Sequence, residues 1–142
     1  MTDKIIIAID TMGGENAPYK NIEGLSFFIK KNMKKNDFFF NLFGDEELIK
    51  KELKKHKISQ NFFKIFHATS VVSDEETPLT AIKNSKDSSM WNSINSQIDL
   101  NSNITLSAGN TGVMFVISRM ILKTIESVSK PALAGLWPSR KG

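Results

Sequence analysis

Two apolar runs in this chain end on glycine-bearing stretches, and the second leads straight into a long apolar helix pattern. Ile5-Ile6-Ile7-Ala8-Ile9 runs into Asp10-Thr11-Met12-Gly13-Gly14-Glu15, and Ile104-Thr105-Leu106 runs into Ser107-Ala108-Gly109-Asn110-Thr111-Gly112. A short strand that is apolar on both faces belongs inside a parallel sheet with helices on either side. Glycines at a strand-to-helix junction let the backbone turn tightly and bring N–H groups against an anion. In an open α/β sheet, ligands sit at the carboxyl ends of the strands. The two stretches together predict one site for a phosphate-bearing or acyl-phosphate-like ligand.

The rest of the pattern alternates in the same sense. Lys4–Ile9 reads as a buried strand. Pro18 opens a helix to about Met33, with Ile22, Leu25, Phe28 and Ile29 on one face. Phe38–Phe43 reads as a second strand stopped by Gly44. Asp45–Lys55 reads as a surface helix, acidic at its start and basic at its end, with Glu46–Lys50 and Glu47–Lys51 as i,i+4 pairs. Phe62–His67 is a third strand, with His67 expected as a packed or bonded core histidine. Val71–Thr77 is a loop, and Pro78 starts a helical turn. Asp87 or Ser88 caps a helix to about Ile98, with Met90, Trp91, Ile94 and Ile98 inward. Ile104–Ser107 is a fourth strand. Asn110 or Thr111 begins a helix over Val113–Ile125, apolar almost all round and so expected to be buried. Pro131–Leu136 is expected as a fifth strand. The order β-α-β-α-β-α-α-β-α-β implies a three-layer α/β/α sandwich with a mainly parallel, Rossmann-like sheet. The 142 residues, 40% hydrophobic, are expected to form a single α/β domain over 1–142.

Composition removes several functions. With no cysteine there is no disulfide, thiolate metal site or cysteine nucleophile. Two isolated histidines, His56 and His67, do not make a histidine metal site. No apolar run reaches the length of a membrane-spanning helix, and no signal peptide precedes the first strand, so a cytoplasmic protein is expected. The net charge of +4 invites a nucleic-acid reading. However, all but two of the 19 basic residues are lysine, the exceptions being Arg119 and Arg140, and no aromatic–basic interleaving is present. A dinucleotide-binding reading also fails, because neither glycine stretch is Gly-x-Gly-x-x-Gly.

Four segments resemble one family, in order. Asp10-Thr11-Met12-Gly13-Gly14-Glu15-Asn16-Ala17-Pro18 resembles the Asp-x-Met-Gly-Gly-Asp-x-x-Pro signature of PlsX-type phosphate acyltransferases. Glu76–Lys83 with Lys86–Met90 resembles that family's proline-containing segment followed by Ser-Ser-Met. Ser107–Gly112 matches its glycine loop, and Lys130–Ala134 resembles its Arg-Pro-Ala-Leu. The resemblance implies transfer of a fatty acyl group from acyl carrier protein to inorganic phosphate, giving an acyl phosphate for phospholipid synthesis. It also implies a fold related to isopropylmalate dehydrogenases and phosphotransacetylases, a homodimer, and peripheral contact with the inner face of the membrane. No cofactor or metal is expected.

On this reading Asp10, Asn110 and Lys83 are the candidate catalytic residues. Gly13, Gly14, Ser88, Ser89, Ser107, Gly109, Thr111 and Gly112 are the candidate phosphate-binding residues. Backbone N–H groups of Gly109–Gly112 at a helix start supply donors, Lys83 supplies charge, and Asp10 handles a proton. Glu15 stands where the family has Asp, and Lys83 and Lys130 stand where Arg is usual, keeping charge but losing the bidentate fork. Family chains run to roughly twice this length, so the chain is expected to be the N-terminal part of a longer one. The alternative is an inactive fragment or a non-catalytic phosphate-ligand-binding domain that needs a missing C-terminal half.

Overall fold

The computed structural model describes residues 4–32 and 37–136. Four parallel strands, β1 (Ile5–Asp10), β2 (Phe38–Gly44), β3 (Phe63–His67) and β4 (Ile104–Ser107), form one sheet in the order β3-β2-β1-β4. Ile7 of β1 sits opposite Phe40 of β2 and Ile104 of β4, and Asp10 sits opposite Phe43 and Ser107. The order reverses at β1, so the crevice between the ends of β1 and β4 is the switch point at which such sheets bind ligands.

Alternation along β1 sorts the two faces. Ile7 and Ile9 pack against the apolar stripe of α1 (Tyr19–Asn32), made of Ile22, Leu25 and Ile29. Ile49 and Leu53 of α2 (Glu46–Lys55) complete that layer with Phe40 and Leu42. Asp45 caps α2 by accepting from the Leu48 N–H at 3.0 Å. Lys50 pairs with Glu46 at 2.8 Å as expected, but also takes Glu47 at 3.3 Å, the partner assigned above to Lys51.

The opposite face is built differently. Two short helices, α3 (Pro78–Asn84) and α4 (Ser89–Asp99), join α5 (Thr111–Leu122) around Val72, Ala81, Met90, Ile94, Val113 and Ile117. Where α4 lies on the sheet it presents Ser89, Ser93 and Ser96, all buried. These small side chains let the helix lie close to the sheet, and the hydroxyls of Ser93 and Ser96 are bonded back into the helix. Ser93 Oγ donates to Met90 O at 2.8 Å and Ser96 Oγ to Ser93 O at 2.6 Å. Buried Asn41 of β2 joins the layer through Ser102 Oγ at 3.0 Å.

Five expectations are corrected. Pro131–Leu136 forms no strand, and Leu133 and Leu136 are 65% and 103% exposed. An apolar stretch needs a neighbour's ladder to become a strand, and this one makes none. α5 stops at Leu122 rather than Ile125, because Lys123 takes a left-handed φ of 61°. α5 also buries one stripe, Val113 and Ile117, and leaves Met120 exposed. Ile98, in the last turn of α4, is exposed rather than inward. His67 is exposed, and its Nδ1 accepts from the Glu46 N–H at 3.3 Å.

Candidate active site

The two glycine stretches, 97 residues apart in sequence, meet at the switch point. Asp10 ends β1 with its side chain toward α4 and is 1% exposed. Its Oδ2 accepts from Ser107 Oγ at 2.7 Å and its Oδ1 from the Met12 N–H at 3.3 Å. Ser107 Oγ in turn accepts from the Gly109 N–H at 3.1 Å. Burial pushes the Asp10 carboxyl above its ordinary value, against a downward pull from Ser89, Ser107 and the Met12 and Gly13 N–H groups. The Ser89 hydroxyl faces this carboxylate but falls short of a well-formed hydrogen bond and has no other partner, although Ser89 is buried.

The glycines are required by the loops' contact with each other. A Cβ on Gly13 would fall 2.6 Å from Asp10 Oδ2, 2.8 Å from Ser107 Oγ and 2.9 Å from the Gly109 N. Gly14 combines a φ of 89° with an approach of 2.7 Å to Ala108 O. The first loop is also held from behind by Asn21, which the sequence reading missed. Its Nδ2 donates to Thr11 O and Gly13 O, both at 2.9 Å. A polar residue in the first turn of a helix that follows a glycine turn is the signal that marks such a brace.

Three of the expected residues serve as helix ends. Ser88 caps α4, accepting from the Trp91 N–H at 3.1 Å, and the Ser89 N–H goes to Ser70 O at 3.0 Å. Ser70, Ser85 and Ser89 each carry an inward hydroxyl with no partner, grouped about the start of α4. The first turn of α4 reaches the second loop, since a Cβ on Gly109 would lie 3.0 Å from Met90 Cε. Asn110 caps α5 through Oδ1 and the Val113 N–H at 3.1 Å. Its Nδ2 clasps the preceding loop at Asp74 O (3.1 Å) and Glu76 O (2.9 Å). Both ends of this side chain are therefore occupied, while the Thr111 and Gly112 N–H groups at the helix start have no intrahelical partner. Asn110→Ala is expected to lower stability by about 1–3 kcal/mol, from a lost cap and unpaired carbonyls, as read by urea denaturation.

Lys83 does not join this group. Pro78, at the start of α3, lies against Gly112, and Lys83 is exposed at the other end of that helix. Lys130 is exposed in the segment after α5. Among the described residues there is no cluster of three or more His, Cys, Asp or Glu suited to a metal ion. What converges is one buried carboxylate, one partnerless hydroxyl, two glycine loops and two helix starts. This arrangement can hold an anion and move a proton beside it.

Residues 5–142 match the family model described as fatty acid synthesis protein. The chain belongs to that family. The relatives it matches are named phosphate acyltransferase. The protein of Pelagibacter ubique is 40% identical over 141 residues, covering 99% of this chain and 41% of the relative. That of Magnetococcus marinus is 36% identical over 96% of this chain and 38% of the relative, and that of Ruthia magnifica 40% identical over 97% and 40%. This family member thus spans about two-fifths of the length of these curated relatives.

Proposed function

We propose that this chain forms the phosphate-handling part of an acyltransferase site, one that passes a fatty acyl group from acyl carrier protein to inorganic phosphate. A phosphate oxygen attacks the thioester carbonyl; the new C–O bond forms as the C–S bond breaks, and the carrier's thiol leaves with a proton. The acyl phosphate then serves phospholipid synthesis. The observation that carries the reading is the buried Asp10 carboxylate pinned between two glycine loops at the switch point. Its raised pKa suits a group that takes the proton phosphate sheds and returns it to the departing thiolate. The Thr111 and Gly112 N–H groups and the hydroxyls of Ser89 and Thr111 are placed as phosphate contacts, with the dipole of α5 favouring the anion. Gly13, Gly14 and Gly109 shape the seat, Ser107 holds Asp10, and Ser88 and Asn110 fix the two helix starts. Lys83 contributes only charge at a distance. Positioning of this kind needs no covalent nucleophile.

In the same reading the complete protein is a homodimer with peripheral membrane contact. No helix among the described residues is long and apolar enough to cross a membrane. A second reading, a phosphate-ligand-binding unit that works only with a further segment, is favoured by the two-fifths coverage of the relatives. The test is incubation of the folded chain with an acyl carrier protein thioester and phosphate, with hydroxylamine to trap acyl phosphate. Phosphate-dependent hydroxamate is the expected result. Phosphate binding without hydroxamate supports the second reading, and neither would overturn both.

A further inference from the structure

Asn21, the third residue of α1, is half-buried, and its Nδ2 amide donates to the loop after β1, to Thr11 O and Gly13 O at 2.9 Å each. Asparagine is not a favoured helix residue, because its side chain competes for backbone groups nearby. Here it reaches carbonyls ten and eight residues back, and these two carbonyls flank Met12.

The Thr11 carbonyl and the Met12 N–H are the two ends of one planar peptide unit, so whatever fixes the first also aims the second. The Met12 N–H points the opposite way, at Asp10 Oδ1 over 3.3 Å. A continuous line of contacts therefore runs from Asn21, through the Thr11–Met12 peptide, to the buried carboxyl. Donation to a carbonyl polarises its peptide and strengthens the N–H at the far end. The last contact is at the long end for an N–H···O bond, so a small rotation of the peptide plane loses it. The next peptide, whose Gly13 N–H also draws the Asp10 carboxyl downward, lies between the two pinned carbonyls.

The other surroundings of Asp10 are uncharged. Ser107 of β4 donates to Oδ2 at 2.7 Å, Ser89 of α4 presents its hydroxyl, and the register partner on β2 is Phe43. From α1, Lys20 lines the cavity beneath the loop together with Asp10 and Asn21, but it is exposed and pairs with Glu23 at 3.7 Å. With no cation among these groups, a carboxylate only 1% exposed depends on N–H and O–H donors to carry its charge.

Resting on the role given to Asp10 above, we infer that Asn21 is a positioning residue that sets the proton affinity of Asp10 through the Thr11–Met12 peptide. Without Asn21 the peptide is free to turn and the charged form loses a donor, so the carboxyl holds its proton to higher pH. A base still protonated at neutral pH cannot take the proton that phosphate sheds.

The test is a carbon-13 NMR titration of the aspartate carboxyls in the folded chain, with Asp10→Asn to assign the resonance. In the parent, the Met12 amide proton is expected to move downfield as Asp10 ionises, since a bond to a charged oxygen is the stronger one. Asn21→Leu keeps the size of the side chain and removes both donors. In it the Asp10 midpoint is expected to move to higher pH, and the Met12 amide to exchange with solvent about tenfold faster and to stop following the titration. Acyl phosphate formation is expected to fall at neutral pH and to recover as pH rises. Ser102→Ala removes a buried partner of Asn41 and Ser96 ahead of β4, and is expected to lower the melting temperature while leaving the Asp10 midpoint in place. A Met12 amide that ignores the titration in the parent would overturn the inference without recourse to any variant. A midpoint unmoved in Asn21→Leu, or moved equally in Ser102→Ala, would overturn it too and make Asn21 a plain brace of the loop. A midpoint that moves in Asn21→Leu alone, in a chain that forms no hydroxamate, would uphold the relay and count against the acyl transfer it is held to serve.

Discussion

Gly13→Ala is expected to lower the unfolding free energy by roughly 3 kcal/mol, because the added methyl meets three polar atoms at under 3.0 Å. None of the three is the free end of a flexible side chain. Asp10 and Ser107 are bonded to each other, and the third atom is backbone. Relief therefore means parting the loops, which also breaks the Ser107–Asp10 bond and the seat built on it. Gly24→Ala in the same urea series is expected to raise stability by about 0.5–1 kcal/mol, since its position is helical and open. Equal effects of the two substitutions would show that Gly13 is an ordinary turn residue and that the loops do not touch in solution.

The second large effect belongs to Asp10→Asn. The carboxyl is raised above 3.8 in the folded chain, so the native state keeps this proton to a higher pH than the unfolded state does. Its contribution to stability is therefore best at low pH. It falls as pH climbs from 3.8 through the folded-state value, and above that the buried charge costs a constant amount. Asparagine removes this slope. It keeps an acceptor for the Met12 N–H and offers a donor to Ser107 Oγ, which has a lone pair to spare. The variant is expected to melt above the parent at neutral pH, with the gap closing as pH approaches 3.8. Any acyl phosphate formation is expected to drop by about 10²–10⁴-fold. A variant that melts lower at neutral pH and turns over normally would remove Asp10 from the chemistry and make its carboxylate a structural brace.

Much of the architecture was legible because it is local. The apolar runs of β1 and β2, the acidic start and basic end of α2, and the helix starts at Ser88 and Asn110 depend on neighbours within a few residues. What was hidden depends on partners far along the chain. The need for glycine at 13 comes from Ser107 and Gly109, and nothing near Gly13 reports it. Ser93 and Ser96 are polar residues that nonetheless lie against the sheet, because their hydroxyls donate to carbonyls one turn back in the helix. Asn110 reads both as a helix start and as a candidate catalytic amide, and what its neighbours do not reveal is that its Nδ2 donates to the distant carbonyls of Asp74 and Glu76. Pro131–Leu136 has the composition of a strand but no partner, and the apolar girth of α5 records an exposed side that its residue types do not reveal.

The placement of β1 between β2 and β4 has a consequence for assembly. β1 leaves the ribosome before both of its neighbours, and β2 follows within a few dozen residues, but the bond from Ser107 to Asp10 spans 97 residues. Closing a loop of that length is among the slower steps open to a small domain, because its entropy must be spent before the contact returns anything. Asp10 therefore waits, unshielded and with an ordinary acidity, while helices α1 to α4 are synthesised. The carboxylate becomes a buried, proton-holding group only when β4 docks, so the chemical character of the site and the pairing of β1 with β4 arrive in a single event.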